Sequence, residues 1–349
     1  MRRAVFNMRD ERPAWAPPAD LTRRLRETLP VDWELVEVAA PVSGRGDGGG
    51  SSPEAMDAIR GAEIYFGLGL PHDILAVGLE APRRLRWIHT GAAGVASLLH
   101  PELIESGIVL TNSAGIHAAP IAETAIGMML HFARGLDHAV HAQQESAWRP
   151  DIWERSDSGV RELAGATLGI VGFGGIGRAV AQRARALGMR VAALRRTRPP
   201  AHEQSDGVDV ELITGQDALG RLLEMSDFLV LAVPATPKTS GMLGAREIAR
   251  LRAGAVLINV ARGSVIDETA LIDALRAGRL RGAGLDVFVT EPLPAGSPLW
   301  AMPNVLITPH VSATSTRFWE REGELILDNL RRYLTGRDLI NIVDTEAGY

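Results

Sequence analysis

One six-residue run, Gly172-Phe173-Gly174-Gly175-Ile176-Gly177, constrains this chain more than any other feature. An apolar stretch at 168–171 leads into it and a helical pattern at 179–187 leaves it; Gly188 ends that pattern and a new apolar run opens at 190. Strand, glycine turn, helix and strand in that order make a βαβ unit, the crossover that a parallel sheet requires. Within the turn the first glycine permits the tight bend, the second lets backbone come close to a pyrophosphate, and the third packs helix on strand. The helix start, with its unpaired N–H groups, faces the anion. Gly172, Gly174, Gly175, Ile176 and Gly177 are therefore candidate dinucleotide contacts. The bland alternative is a tight turn that binds nothing, and the flanking elements weigh against it.

The same alternation runs along most of the chain. Segments 4–6, 35–38, 64–66, 87–88 and 108–110 read as strands, with helical spacing at 21–29 and at 53–60, the latter opened by Ser-Ser-Pro. A long helical segment at 118–147 follows. A second series then gives strands at 168–171, 190–194, 228–233, 256–260, 284–287 and 305–308, the six of a dinucleotide-binding domain. From 317 to 334 the pattern is helical again, with Gly336 as its stop, and 43–52 reads as a flexible loop. At 349 residues the chain exceeds what one hydrophobic core serves. The expected fold class is α/β, with two Rossmann-like or flavodoxin-like parallel-sheet domains and a cleft between them.

Composition narrows the partners. Hydrophobic residues at 46% and charged residues at 23% fit a globular protein, and a net charge of −5 offers no basic footprint for nucleic acid. There are no cysteines, which removes disulfides and thiolate chemistry. Arg2 and Arg3 are followed by Asp10, Glu11 and Arg12 without the apolar core of an export signal. The longest apolar stretch, 124–132, is bounded by Glu123 and Arg134 and is too short to span a bilayer. No nucleic-acid or membrane partner is expected, and the cytoplasm is the default location. His131, His138 and His141 sit at helical spacing but without a carboxylate pattern, so no metal is expected.

A dinucleotide fingerprint expects an acid at the end of the second strand, where it holds the ribose hydroxyl. Here that place holds Arg195-Arg196-Thr197. Guanidinium groups bind a 2′-phosphate that a carboxylate would repel, so NADP(H) is favoured over NAD(H). The bland reading is an arginine-rich surface loop. Farther on, Arg262 follows Asn259-Val260-Ala261, Glu291 follows 286–290, and His310 follows Thr308-Pro309. Each stands just past the carboxyl end of an expected strand, where open α/β sheets bind their ligands. Alone, each would more often be solvated or structural.

Taken together, these strings resemble the D-2-hydroxyacid dehydrogenase family over nearly the whole chain. The resemblance rests on 85–90 leading into Ala93-Gly94-Val95, Thr111-Asn112 with Gly115, Ala122-Glu123, the glycine run, Val233-Pro234 with Thr236 and Thr239, 259–263, 283–288, Glu291-Pro292 and Pro309-His310. It implies a substrate domain from 1–112 plus 317–349 and a dinucleotide domain at 113–316. It also implies reduction of a small 2-keto acid by hydride transfer from NAD(P)H. His310 would give the carbonyl oxygen its proton, since an imidazole titrates near neutral pH. Glu291 would fix its tautomer and favour the protonated ring, and Arg262 would grip carboxylate and carbonyl oxygen. The N–H groups near Ala93 and Gly94 would hold the other carboxylate oxygen, and Asp286 would receive the nicotinamide carboxamide. Val233, Pro234, Thr239, Val260 and Ala261, with Arg262 and His310, complete the implied cofactor contacts.

Two departures stand out: Ala96 where many relatives carry Asp, and Arg195 in place of the acid. The apolar segment 121–132, which carries methionines, suggests an isologous homodimer built on the dinucleotide domain. A nucleotide-sensing corepressor-like module would share this fold, but is expected to carry long partner-binding extensions. Formate dehydrogenases resemble the chain less, because they place Gln where Glu291 stands. Phosphite oxidation and a phosphoglycerate-type activity remain alternatives, although phosphoglycerate dehydrogenases often add a regulatory domain.

Overall fold

The computed structural model describes residues 1–42, 51–195, 209–345 and 348. Most of the expected loop at 43–52 therefore lies outside the described residues. The chain divides into two compact units, one from Met1–His117 with Thr314–Tyr349 and the other from Ala118–Ala313.

In the first unit the strands are β1 (Arg2–Asn7), β2 (Trp33–Glu37), β3 (Ile64–Gly67), β4 (Trp87–Thr90) and β5 (Val109–Asn112). The crossovers carry α1 (Ala19–Thr28), α2 (Pro53–Ile59), α3 (His72–Gly78) and α4 (Pro101–Ser106). The sheet is parallel throughout, in the order β2-β1-β3-β4-β5, a flavodoxin-like arrangement. Strands β3 and β4 are buried along their whole length, as parallel strands covered on both faces must be. Ser52 caps α2 by accepting from the N–H of Ala55, which is the start signal legible in Ser-Ser-Pro.

The second unit begins with α5 (Ala118–Ala133), α6 (Leu136–Gln144) and α7 (Asp151–Glu154). It continues through β6 (Thr167–Val171), α8 (Gly175–Ala186), β7 (Arg190–Leu194), β8 (Glu211–Ile213), α9 (Ala218–Met225) and β9 (Phe228–Leu231). It ends with α10 (Ala245–Arg250), β10 (Ala255–Asn259), α11 (Glu268–Arg276), β11 (Leu280–Leu285) and β12 (Val305–Ile307). The strand order β12-β11-β10-β9-β6-β7-β8, all parallel, is the doubly wound Rossmann order with one strand added at an edge. Its switch point lies between β6 and β9.

Three details depart from the sequence reading. The expected helix at 118–147 is two helices, because Gly135 adopts φ +67 and a Cβ there would lie 2.9 Å from Trp153 and Val160. Strand β8 is a three-residue edge strand with too little apolar pattern to stand out. Strand β11 starts earlier than expected because Gly282 and Gly284 break its apolar run. Cβ atoms at these glycines would lie 2.5 Å from the Phe132 ring and 2.8 Å from the Met128 sulfur, so the glycines let α5 press onto the sheet. Ile121, Ala122, Ala125, Ile126, Met128, Met129 and Phe132 are all buried in this unit's own core. That apolar face is therefore spent within one chain and gives a dimer no support.

The last helix, α12 (Phe318–Leu334), belongs to the first unit, where Ile326, Leu327 and Leu330 are fully buried beside Ala4, Phe6, Leu21 and Leu25. Gly336, at φ +66, ends it. A polar staple reinforces the packing: Glu63 accepts from Arg2 Nε at 2.8 Å and from the Tyr333 hydroxyl at 2.7 Å. The Arg2 guanidinium, helped by Tyr333 and opposed by burial, holds the Glu63 carboxyl below the usual carboxylate range. A depressed folded value means that the ionised form stabilises the fold above the unfolded value of about 4.3, and that this support is lost as pH falls through the lower folded value. Glu63→Gln should therefore cost about 1 kcal/mol at neutral pH, with the Tm gap to the parent closing on acidification. A gap independent of pH in thermal unfolding would contradict the assignment.

Candidate active site

In a parallel sheet every carboxyl end opens on the same edge, and on that edge of the second unit the singled-out residues gather. Gly172 follows β6, Arg195 follows β7, Val233 and Pro234 follow β9, Val260 to Arg262 follow β10, Asp286 and Glu291 follow β11, and His310 follows β12. Arg196 and Thr197 lie outside the described residues.

The glycine turn has the geometry its spacing implies. Gly172 stands at φ +99, and a Cβ there would fall 2.5 Å from the Ala232 carbonyl; at Gly177 it would fall 2.1 Å from the Gly172 carbonyl. These two glycines are required by close packing. Gly174 is different, since nothing lies within 4 Å of where its Cβ would stand. Packing does not demand a glycine there, whereas close approach of a ligand from outside does. The helix α8 that begins at Gly175 has neither a capping side chain nor an acidic residue in its first turn, which leaves its N–H groups for an anion. Ile176 is half-buried against the core. Across the switch point, Thr239 accepts from the Thr236 N–H at 2.8 Å and donates to the Pro234 carbonyl at 2.6 Å, which fixes the loop after β9. Arg195 is half-buried at the end of β7.

After β10 the backbone turns around Asn259. Its side chain accepts from the Ala261 N–H at 3.0 Å and donates to the Arg262 carbonyl at 3.0 Å. Val260 and Ala261 are buried and Arg262 is exposed. One guanidinium nitrogen of Arg262 donates to the Ala261 carbonyl at 2.7 Å, and among the described residues the rest of the fork meets no acceptor. The next residue, Gly263, lies against the loop after β11: a Cβ would stand 1.9 Å from the carbonyl carbon of Phe288.

His310 and Glu291 meet directly, with His310 Nδ1 2.7 Å from Glu291 Oε2. The other Glu291 oxygen accepts from the Phe288 N–H at 2.9 Å, so the carboxylate is held from behind. His310 has a left-handed backbone, φ +53, which is uncommon for a residue with a side chain. Asp286 holds it there. This residue is 1% exposed; it accepts from the Thr308 hydroxyl at 2.6 Å, the Val311 N–H at 2.9 Å and both the N–H and the hydroxyl of Ser312, while its carbonyl takes the His310 N–H at 2.8 Å. Asp286 is thus the buried anchor of the His310 turn, with both oxygens engaged. Ser312 went unnoticed in the sequence reading, and Thr308 and Gly263 were quoted there without a role of their own, since an isolated Thr, Ser or Gly carries no signal without its distant partner. Among the described residues no three metal-ligating side chains come together.

In the first unit, Ala93 and Gly94 lie in the loop after β4. The Ala93 carbonyl accepts from the Asn112 side chain at 2.9 Å, and the Ala92 carbonyl from the Ser113 N–H at 3.1 Å. Among the described residues the N–H groups of Ala93 and Gly94 donate to no acceptor.

The family model for the D-isomer specific 2-hydroxyacid dehydrogenase, NAD binding domain, matches residues 126–312. The chain belongs to the D-isomer specific 2-hydroxyacid dehydrogenase family. It is therefore an NAD(P)-dependent dehydrogenase. A glyoxylate reductase of Korarchaeum cryptofilum is 35% identical over 268 residues, covering 77% of this chain and 79% of that one. A D-3-phosphoglycerate dehydrogenase of Methanocaldococcus jannaschii is 32% identical over 294 residues. The match takes in 83% of this chain but spans only 53% of that protein's length. Among solved structures, a family member from Xanthobacter autotrophicus in complex with NADPH and MES superposes with a TM-score of 0.78 at 30% identity, covering 100% of this chain and 99% of that one.

The Gly263 contact gives a direct test of the loop geometry. Gly263→Ala drives a methyl into backbone and should destabilise the protein by about 3 kcal/mol or more. Thermal unfolding at the parent Tm would show that the loops after β10 and β11 do not cross so closely.

Proposed function

We propose that this chain reduces a small 2-keto acid to the D-2-hydroxy acid, using NADPH in preference to NADH. The observation that carries the reading is the 2.7 Å Glu291–His310 hydrogen bond on the sheet edge that also carries the glycine turn and Arg262. Because Glu291 occupies Nδ1, the other ring nitrogen is the one that delivers a proton to the carbonyl oxygen. The exposed fork of Arg262 takes the substrate carboxylate and polarises the carbonyl. In the first unit, the N–H groups of Ala93 and Gly94 are suited to the remaining carboxylate oxygen.

The open side of Gly174 and the uncapped start of α8 fit a pyrophosphate, with Gly172, Gly175, Ile176 and Gly177 shaping the turn and Val233, Pro234, Thr239, Val260 and Ala261 lining the edge. The reduced nicotinamide, when bound, supplies the hydride. Arg195 follows β7, where an acid would favour NADH, and supports the phosphate-bearing cofactor. A cytoplasmic location belongs to the same proposal. Among the described residues no helix is long and apolar enough to cross a membrane.

Glyoxylate, hydroxypyruvate and phenylpyruvate, each assayed with NADPH and NADH, test the reading. Turnover of at least one is expected, and no turnover with any 2-keto acid would contradict the proposal and return weight to a nucleotide-sensing module. Arg262→Lys should lower kcat/KM about a hundredfold, because a point charge cannot reproduce the two-pronged grip, while NADPH still binds. Near-parental kinetics would remove Arg262 from the substrate. For the cofactor, Arg195→Asp should shift the ratio of NADPH to NADH affinity toward NADH by about tenfold or more, from the loss of a charge-assisted contact. Equal affinities in the parent would show that Arg195 does not meet the 2′-phosphate.

A further inference from the structure

The first unit buries a polar cluster that the proposed chemistry does not use. His89, Thr111, Ser113 and Glu322 are all 0% exposed. Glu322, on α12, accepts from His89 Nε2 at 3.0 Å and from the Ser113 hydroxyl at 2.7 Å. His89 Nδ1 lies 2.9 Å from the Thr111 hydroxyl, which also accepts from the Trp87 indole N–H at 2.9 Å. Among the described residues no Arg or Lys forms an ion pair with Glu322. Its helix neighbours Phe318, Ile326, Leu327 and Leu330 are buried and apolar, so His89 and Ser113 are the groups that satisfy its carboxyl group. Replacing a buried pair by well-packed apolar groups is often neutral or stabilising, so stability does not explain the cluster. What a carboxylate can do and a leucine cannot is fix the direction of its neighbours.

Those neighbours lead to the loop after β4. His89 lies on β4, and Ser113 follows β5, so one carboxylate joins the ends of two adjacent strands. Ser113 also donates its N–H to the Ala92 carbonyl, and Asn112 its side-chain N–H to the Ala93 carbonyl. In a planar trans peptide the C=O of one residue and the N–H of the next point in opposite directions. Pinning the Ala92 and Ala93 carbonyls toward the end of β5 therefore turns the N–H groups of Ala93 and Gly94 away from it, and these are the two groups offered to a carboxylate. The other side of the hub is clamped by Asn341, which donates to the carbonyls of Asn112 at 3.2 Å and Ala114 at 2.8 Å.

We infer that Glu322 is a positioning residue for the substrate carboxylate: through Ser113 and His89 it holds the loop at 91–95 so that the Ala93 and Gly94 N–H groups converge on one oxygen. This rests on the 2-keto acid reading above. A loop that binds the carboxylate equally in ground and transition states affects KM rather than kcat.

The test uses the full-length enzyme with glyoxylate, or with whichever panel member turns over best. Glu322→Gln should raise the keto-acid KM about tenfold and leave kcat within about twofold, with the NADPH Kd unchanged. Ser113→Ala removes the same link with little change in packing and should move KM in the same direction. It decides the matter if Glu322→Gln does not fold. Pairing Glu322→Gln with His89→Gln restores a hydrogen-bonded bridge and should return KM toward the parent value. A merely structural role would lower Tm and the active fraction without moving KM. Parental KM in Glu322→Gln and Ser113→Ala would overturn the inference while leaving the proposed function intact, whereas a parent enzyme inactive on every 2-keto acid would strike the proposed function first.

Discussion

Asp286 is buried at the end of β11, and its two oxygens collect four donors from the segment that follows β12. A buried carboxylate left without such partners would be costly, so the donors and the acid fix each other. The consequence is local and chemical. The chain between Thr308 and Ser312 can satisfy Asp286 only by turning sharply, and His310 at the turn takes up φ +53. That places its ring on Glu291, which is itself pinned to the Phe288 N–H. A hydrogen-bonded His–Glu pair on a loop would otherwise be mobile; here a buried, fully engaged carboxyl group supplies the rigidity that the surface lacks.

The neighbouring loops extend this constraint along the sheet edge. Gly263 passes under the Phe288 carbonyl, Gly172 lies against Ala232, and the Gly172 N–H donates to the Leu194 carbonyl at 3.2 Å. The loop after β6 is thereby tied to β7 and to the loop after β9, and the loop after β10 to that after β11; the close approaches at Gly172 and Gly263 leave no room for a side chain. The first unit uses a different device for the same end, in which a carboxylate from the last helix sets the direction of two backbone N–H groups. In both units a buried acid orients groups that are themselves exposed.

Much of this was legible in the sequence, and the reason is that parallel strands announce themselves. Runs such as 228–231 and 255–258 are apolar without interruption because both faces are covered, and the glycine run marks the turn after β6. Arg262, Glu291 and His310 were found because each follows such a run at the edge where ligands bind. Contacts between distant residues stayed hidden. Gly282 and Gly284 obscured β11 because their role is to admit Phe132 and Met128 of α5; Gly135 reads as an ordinary helix residue until Trp153 is placed beside it. The apolar run at 121–132 looked like a surface seeking a partner, and its partner is the sheet of its own unit. Asp286 was read as a contact for the nicotinamide carboxamide; its engagement with Ser312 and Thr308 stayed hidden because it depends on residues more than twenty positions away. Glu322 and Ser113 lie still farther apart, and nothing in either local pattern points to the other.

The central claim is that the groups on this sheet edge direct a hydride onto the carbonyl carbon of a 2-keto acid and a proton onto its oxygen. The most direct measurement follows the atoms. The enzyme is given NADPH deuterated at the transferring position of the nicotinamide, and the 2-hydroxy acid product is examined by mass spectrometry and chiral chromatography. The account predicts one deuterium on the carbon that bears the hydroxyl, in product of the D configuration. Product without deuterium at that carbon, or product of the L configuration, would contradict it.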